Sequence, residues 1–170
     1  MNINDYLKTS KILDGIFPEL ESTPYSPFTL FNKWLSDAFE SGSDEPAVMV
    51  LSTVEDHTPD SRVVLLKAVD DSGLYFETAK PRSKVRQLHG NHSVAANFYW
   101  TPLGRQVRIQ GTAVLTDDFS HVADNLDAPE RDLNVYHIIP SRFEFYQAVT
   151  AGYKRFEYVL EDSRWLQHTL

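Results

Sequence analysis

Two periodicities divide the chain. From Ser26 to Gly42 the apolar residues recur at helical spacing: Leu30, Phe31, Trp34, Leu35, Ala38 and Phe39 fall on one face. Ser26 is placed to cap this helix, Pro27 suits its first turn, and Gly42 is a natural stop. Beyond Pro46 the period shortens to two. Strands are predicted over 47–54 (AVMVLSTV), 62–69, 74–78, 94–100 and 105–116, with turns at 55–60, 70–73 and 101–104. A short helix is predicted over 82–89, stopped at Gly90-Asn91, and a further helix over 117–125, followed by an acidic loop over 126–134. RFEFYQ (142–147) and 156–160 alternate again, and Asp162-Ser163 turns the chain into its last run. A weak helix is expected over 1–17 and a Pro-broken loop over 18–26.

Many short strands with turn signals between them predict a mainly β protein with flanking helices, an antiparallel barrel or sandwich. We read one domain over 1–170: an N-terminal extension (1–26), a helix (27–42), a barrel core (46–116), a helical or loop insertion (117–140) and a closing hairpin (141–170). There is no Gly-x-Gly-x-x-Gly and no P-loop, which weakens a Rossmann or NTPase reading.

Composition narrows the chemistry. With 170 residues and 12% aromatics the chain can bury a real core. It has no cysteine, which excludes disulfides, thiolate catalysis and cysteine-bound zinc. A net charge of −8 disfavours non-specific nucleic-acid binding. No apolar run approaches the ~20 residues of a membrane span, and no leader-like segment opens the chain, so a soluble cytoplasmic protein is expected. His89 and His92 straddle a helix stop, which argues against a metal site.

Against that acidity, one basic knot stands out. The hairpin SRVVLLKAVDDSGLYFETA leads into Lys80, Arg82, Lys84 and Arg86, a candidate anion cradle at a helix start. Bland readings exist beside it. Arg62 and Lys67 can be strand-end charges, the later cations a solvated helix face, and Gln106, alternating with Arg108 and Gln110, a polar strand face.

Taken together, MVLSTVEDHTPDSRVVLLK, LYFETAKPRSKVRQL, NFYWTPLGRQVRIQGTA and RFEFYQ resemble the pyridoxamine 5′-phosphate oxidase family of FMN-binding split barrels. The resemblance implies an antiparallel split β-barrel, a homodimer with FMN in a cleft between subunits, and oxidoreductase chemistry on a small molecule. It assigns FMN contacts to Arg62 and Lys67, backbone contacts to Val63, Val64 and Leu65, and a further contact to Thr78. Ser83 and Lys84 match the phosphate-holding pair, with the family's arginine displaced by one position to Arg82. Gln106 matches a glutamine that reaches the flavin from the partner subunit. Tyr146 replaces the usual tryptophan, and Arg155 matches an arginine near the flavin. No general base is apparent, so no catalytic residue is assigned.

The substrate signatures depart from the family. Tyr136 has Pro140 where an arginine would follow, and Ala151-Gly152-Tyr153 stands where Arg-x-His would be. The expectation is an FMN-dependent oxidoreductase that does not oxidise pyridoxamine phosphate. The alternative is a barrel that binds FMN or another planar cofactor without turnover.

Overall fold

The computed structural model describes residues 17, 23–80, 82–150 and 152–170. The expected helix over 1–17 and most of the loop after it lie outside the described residues.

Helix α1 (Pro27–Glu40) starts where the sequence asks it to. Ser26 is extended (φ −104°, ψ 128°) and Pro27 follows, although the Ser26 hydroxyl makes no capping bond. The helix ends before Gly42, whose φ of +71° suits a residue without a Cβ. Pro27, Phe28, Leu30, Phe31, Trp34 and Ala38 are buried. Phe39, expected on the same face, is exposed, because it lies at the edge of the stripe centred on Phe31, Trp34 and Ala38. Edge-to-face ring contacts of Phe28 with Phe143, Phe31 with Phe98 and Trp34 with Phe145 seat this helix on the sheet.

Among the described residues there are eight strands: β1 (Val48–Glu55), β2 (Thr58–Asp70), β3 (Gly73–Ala79), β4 (Ser93–Trp100), β5 (Arg105–Thr116), β6 (Leu133–Val149), β7 (Gly152–Glu161) and β8 (Arg164–Thr169). Helix α2 (Ser83–Gly90) joins β3 to β4. All pairings are antiparallel, in the order β3-β2-β1-β4-β5-β6-β7-β8, and β3 also pairs with β6. That last pairing closes a six-stranded ring, with β7 and β8 continuing from β6 as a flap. The strand pattern leaves barrel and sandwich open; the ring decides for the barrel, and its split form is the one the family resemblance implies.

The turn expected over 55–60 shrinks to Asp56-His57, both at positive φ, so β1 and β2 pair out to Glu55 and Thr58. A larger correction concerns 117–140. Only short 3₁₀ turns form there, at Ala123–Asn125 and Glu130–Asp132, and β6 already begins at Leu133. Side-chain caps explain the lost helix: Thr116 Oγ1 and Asp118 Oδ1 accept from the backbone N–H of Asp118 and Ser120, favouring turns.

Strand β6 is where the barrel splits. Its first part pairs with β3, its last with β7, and β5 runs beside both. The switch falls at Pro140, opposite a register shift between Gln110 and Gly111. A Cβ on Gly111 would sit 2.2 Å from the Ile139 carbonyl oxygen, so only glycine fits this close approach.

Candidate functional site

Three cations converge at the start of α2. Arg82 is its extended N-cap residue (φ −125°, ψ 147°), and no acidic residue occupies the first turn. Arg82 and Ser83 are exposed and Lys84 is half-buried. Burial, then the neighbouring charges of Arg62 and Arg82, pushes the Lys84 ammonium below its ordinary range. Among the described residues no carboxylate pairs with Arg82 or Lys84.

Arg62 is the fixed member of this group. It lies on the inner side of β2 and donates to Leu51 O (3.1 Å), Thr53 Oγ1 (2.7 Å), Asp60 Oδ2 (2.6 Å) and Gln87 Oε1 (2.8 Å). Gln87 in turn donates to Asp60 (2.9 Å), so β1, β2 and α2 share one hydrogen-bonded frame. Among the described residues, Asp60 is the one carboxylate that pairs with any of the three cations.

Beyond Arg62 the strand alternates. Val64 and Leu66 point into the core, while Val63 (66% exposed) and Leu65 (43%) face outward. Lys67 follows them on the outer side at a bulge between Leu66 and Ala68. Arg62 and Lys67 therefore stay on opposite faces, and the irregularity lies at Lys67 itself. Lys67 does not stand open. Its ammonium is 3.3 Å from Glu77 Oε1 and 2.7 Å from Asp127 Oδ1. The Asp127 carboxyl is held below its ordinary range chiefly by Lys67. Thr78 points inward and is buried, with one long contact of 3.5 Å to Ala79 O.

The remaining sequence-predicted residues form a second group on the same outer surface. Gln106, Tyr146 and Arg155 are successive cross-strand partners on β5, β6 and β7. Gln106 donates to Asn97 Oδ1 (2.7 Å), Tyr146 stacks on Tyr153 (5.2 Å), and Arg155 donates to Glu144 Oε1 (2.8 Å). Glu144 is buried yet ionised, its carboxyl lowered against desolvation by the guanidiniums of Arg155, Arg142 and Arg108. Three strand steps separate β5 from β2, roughly 14 Å at about 4.8 Å per step. Within one chain the two groups do not meet.

The chain matches the family model described as pyridoxamine 5′-phosphate oxidase over residues 35–147. It belongs to that family. A pyridoxine/pyridoxamine 5′-phosphate oxidase of Bradyrhizobium sp. is 36% identical over 130 residues, which are 72% of this chain and 60% of that protein. One from Azorhizobium caulinodans is 45% identical over 86 residues, 50% of this chain and 41% of its own length. The chain thus spans about half the length of these curated relatives.

Among solved structures, PhzG from Burkholderia lata, in complex with tetrahydrophenazine-1-carboxylic acid, superposes with a TM-score of 0.78 at 24% identity. The alignment covers 93% of this chain and 98% of that one. A pyridoxamine 5′-phosphate oxidase-related, FMN-binding protein from Nostoc punctiforme gives 0.72 at 14% identity, covering 85% and 97%. At these identities the two structures show the shared fold.

Sequence reasoning missed Glu77, Asp127 and Glu144, three carboxylates that neutralise Lys67 and Arg155. Glu144 had a signal, since RFEFYQ puts a glutamate on the same strand face as Arg142 and Tyr146. Asp127 had none: it sits in an acidic loop far along the chain from Lys67. Tyr136, part of the altered substrate signature, is buried and stacked on Phe76 (5.3 Å). It lines a cleft of about 480 Å³ with Arg82, Ser83, His89 and His92.

Proposed function

We propose that this protein binds FMN between two copies of itself and uses it as an oxidoreductase on a small molecule. The observation that carries this reading is the cluster of Arg62, Arg82 and Lys84 at a helix start, where two of the three cations have no carboxylate partner among the described residues. Like charges placed together, with Lys84 partly desolvated, cost free energy, and a dianion relieves that cost. A phosphate there would take charge-assisted hydrogen bonds from Lys84, Arg82, the Ser83 hydroxyl and the backbone N–H groups at the helix start.

The rest of the cofactor has a matching surface. Val63 and Leu65 expose apolar side chains beside the cradle, and Val50 and Tyr99 extend the exposed strip across β1 and β4. A continuous apolar strip of this kind favours a planar ring and a covering partner. Gln106, Tyr146 and Arg155 are too far from β2 to complete the site in their own chain, and a two-fold related copy would bring them to it. Flavin supplies the electron transfer when bound. The chain's residues bind its phosphate, exclude water from one ring face through Val63 and Leu65, and offer the Gln106 amide as a donor.

The test is a visible absorption spectrum of the purified protein with added FMN, followed by titration with a chemical reductant and re-exposure to oxygen. Stoichiometric flavin binding with repeatable bleaching supports the reading. Protein that stays colourless with FMN present contradicts it, and flavin that binds but cannot be cycled contradicts the catalytic half.

A further inference from the structure

The environment of Lys67 says what kind of compound the site can take. Its side chain is only 4% exposed, and it lies on the outer face two residues beyond the exposed Leu65. A buried ammonium next to a ligand surface is ordinarily a receptor for an anion. Here the chain fills that position itself. Asp127 Oδ1 stands 2.7 Å from Lys67 Nζ although its own side chain is 72% exposed.

Asp127 is delivered by an anchored strap over residues 117–132. Val122 is buried against Tyr75 and Val135. The His121 ring stacks on Tyr75 at 4.7 Å, and Asn125 Nδ2 donates to Lys67 O at 3.2 Å. The Asp127 backbone N–H donates to Glu77 Oε1 at 3.1 Å. None of these contacts needs the Asp127 carboxylate, so the strap positions it without depending on it.

Charge and hydrogen bonding then favour one class of ligand. One ammonium faces two carboxyl groups, and one of them, Asp127, stands largely exposed. Lys67 Nζ and the Asp127 backbone N–H both meet Glu77 at Oε1, whereas Oε2 is buried without a hydrogen-bond partner, alone in this among the described residues. A buried acceptor left without a donor is unfavourable, and the exposed Asp127 carboxylate beside it offers a ligand N–H or O–H an acceptor.

We infer that Asp127 is a built-in occupant of the Lys67 anion position, and that the substrate presents there a neutral or cationic N–H or O–H donor, not a phosphate or carboxylate. This rests on the flavin reading for the position of the substrate, but the Lys67 contact can be tested without it. The probes are pyridoxine 5′-phosphate and pyridoxine, compared by calorimetry on FMN-saturated wild type, Asp127→Ala, Asp127→Asn and the Lys67→Met/Asp127→Ala double variant.

Wild type is expected to show no preference for the phosphate ester beyond about threefold. Asp127→Ala is expected to gain about tenfold or more for the ester alone, with the gain lost in the double variant. Asp127→Asn, which keeps the side-chain volume, is expected to show a smaller gain of the same sign. A wild-type preference for the ester of about tenfold, or an unchanged ratio in both single variants, overturns the inference. The visible spectrum of each sample scores flavin binding separately. If FMN does not bind, the flavin reading fails while the same ratio, taken on flavin-free protein, still decides the role of Asp127.

Discussion

Lys67 and Lys84 lie within one hairpin and helix of each other, and their surroundings differ in kind. Lys67 is a neutralised cation, buried between Glu77 and Asp127. Lys84 is an unneutralised one, half-buried against Arg62 and Arg82 with no carboxylate of its own among the described residues. The difference separates structure from binding. A charge compensated within the fold holds the fold together, whereas a charge the fold leaves uncompensated is available to a ligand.

The largest effect that should separate the two is on stability. Lys67→Ala would leave Glu77 buried without its counter-ion, and breaking such a pair costs about 3–5 kcal/mol. Urea denaturation should show that loss as a lower midpoint. Lys84→Ala removes a member of a like-charge cluster, so its midpoint should be unchanged or slightly raised, within about 0.5 kcal/mol. Equal losses for the two variants would break the comparison.

A smaller effect concerns alkaline solution. Because the Lys84 ammonium is pushed below its ordinary 10.5, it discharges earlier than a free lysine as pH rises. FMN affinity, measured by fluorescence quenching, should therefore begin to fall before pH 10.5, while riboflavin affinity should not follow it.

The smallest effect is in acid. The Asp127 carboxyl is lowered from 3.8, so its contribution to stability is fully present above that value and is lost as pH falls through the lowered one. Asp127→Asn should remove that acid-side segment of the stability curve and leave the profile between pH 5 and 7 unchanged. A change of slope near neutrality would point to another group.

Much of the fold was legible because its signals are local. The period of two, the paired turn residues at Asp56-His57 and Asp162-Ser163, and the Ser-Pro start of α1 each act within a few residues. Strand β6 was half hidden. Its first part follows an acidic loop and ends at Pro140, so the run 133–140 does not advertise a strand that pairs with β3 on one side and β5 on the other. The candidate site divides in the same way. Arg82, Ser83 and Lys84 were readable as a basic helix start. The neutralisation of Lys67 by Asp127 depends on where a loop packs, which Val122, His121 and Tyr75 decide through tertiary contacts. Family resemblance marked Lys67 as a cofactor contact but carried no information about the carboxylates that surround it here.

The most direct test of the open cradle is the affinity of FMN against riboflavin for wild type and Lys84→Ala, measured side by side by fluorescence titration. Wild type should prefer FMN, and Lys84→Ala should lose about one to two powers of ten for FMN with riboflavin nearly unmoved. If wild type binds the two flavins equally, or the substitution weakens both alike, Lys84 does not hold a phosphate and the cradle at the start of α2 has been misassigned.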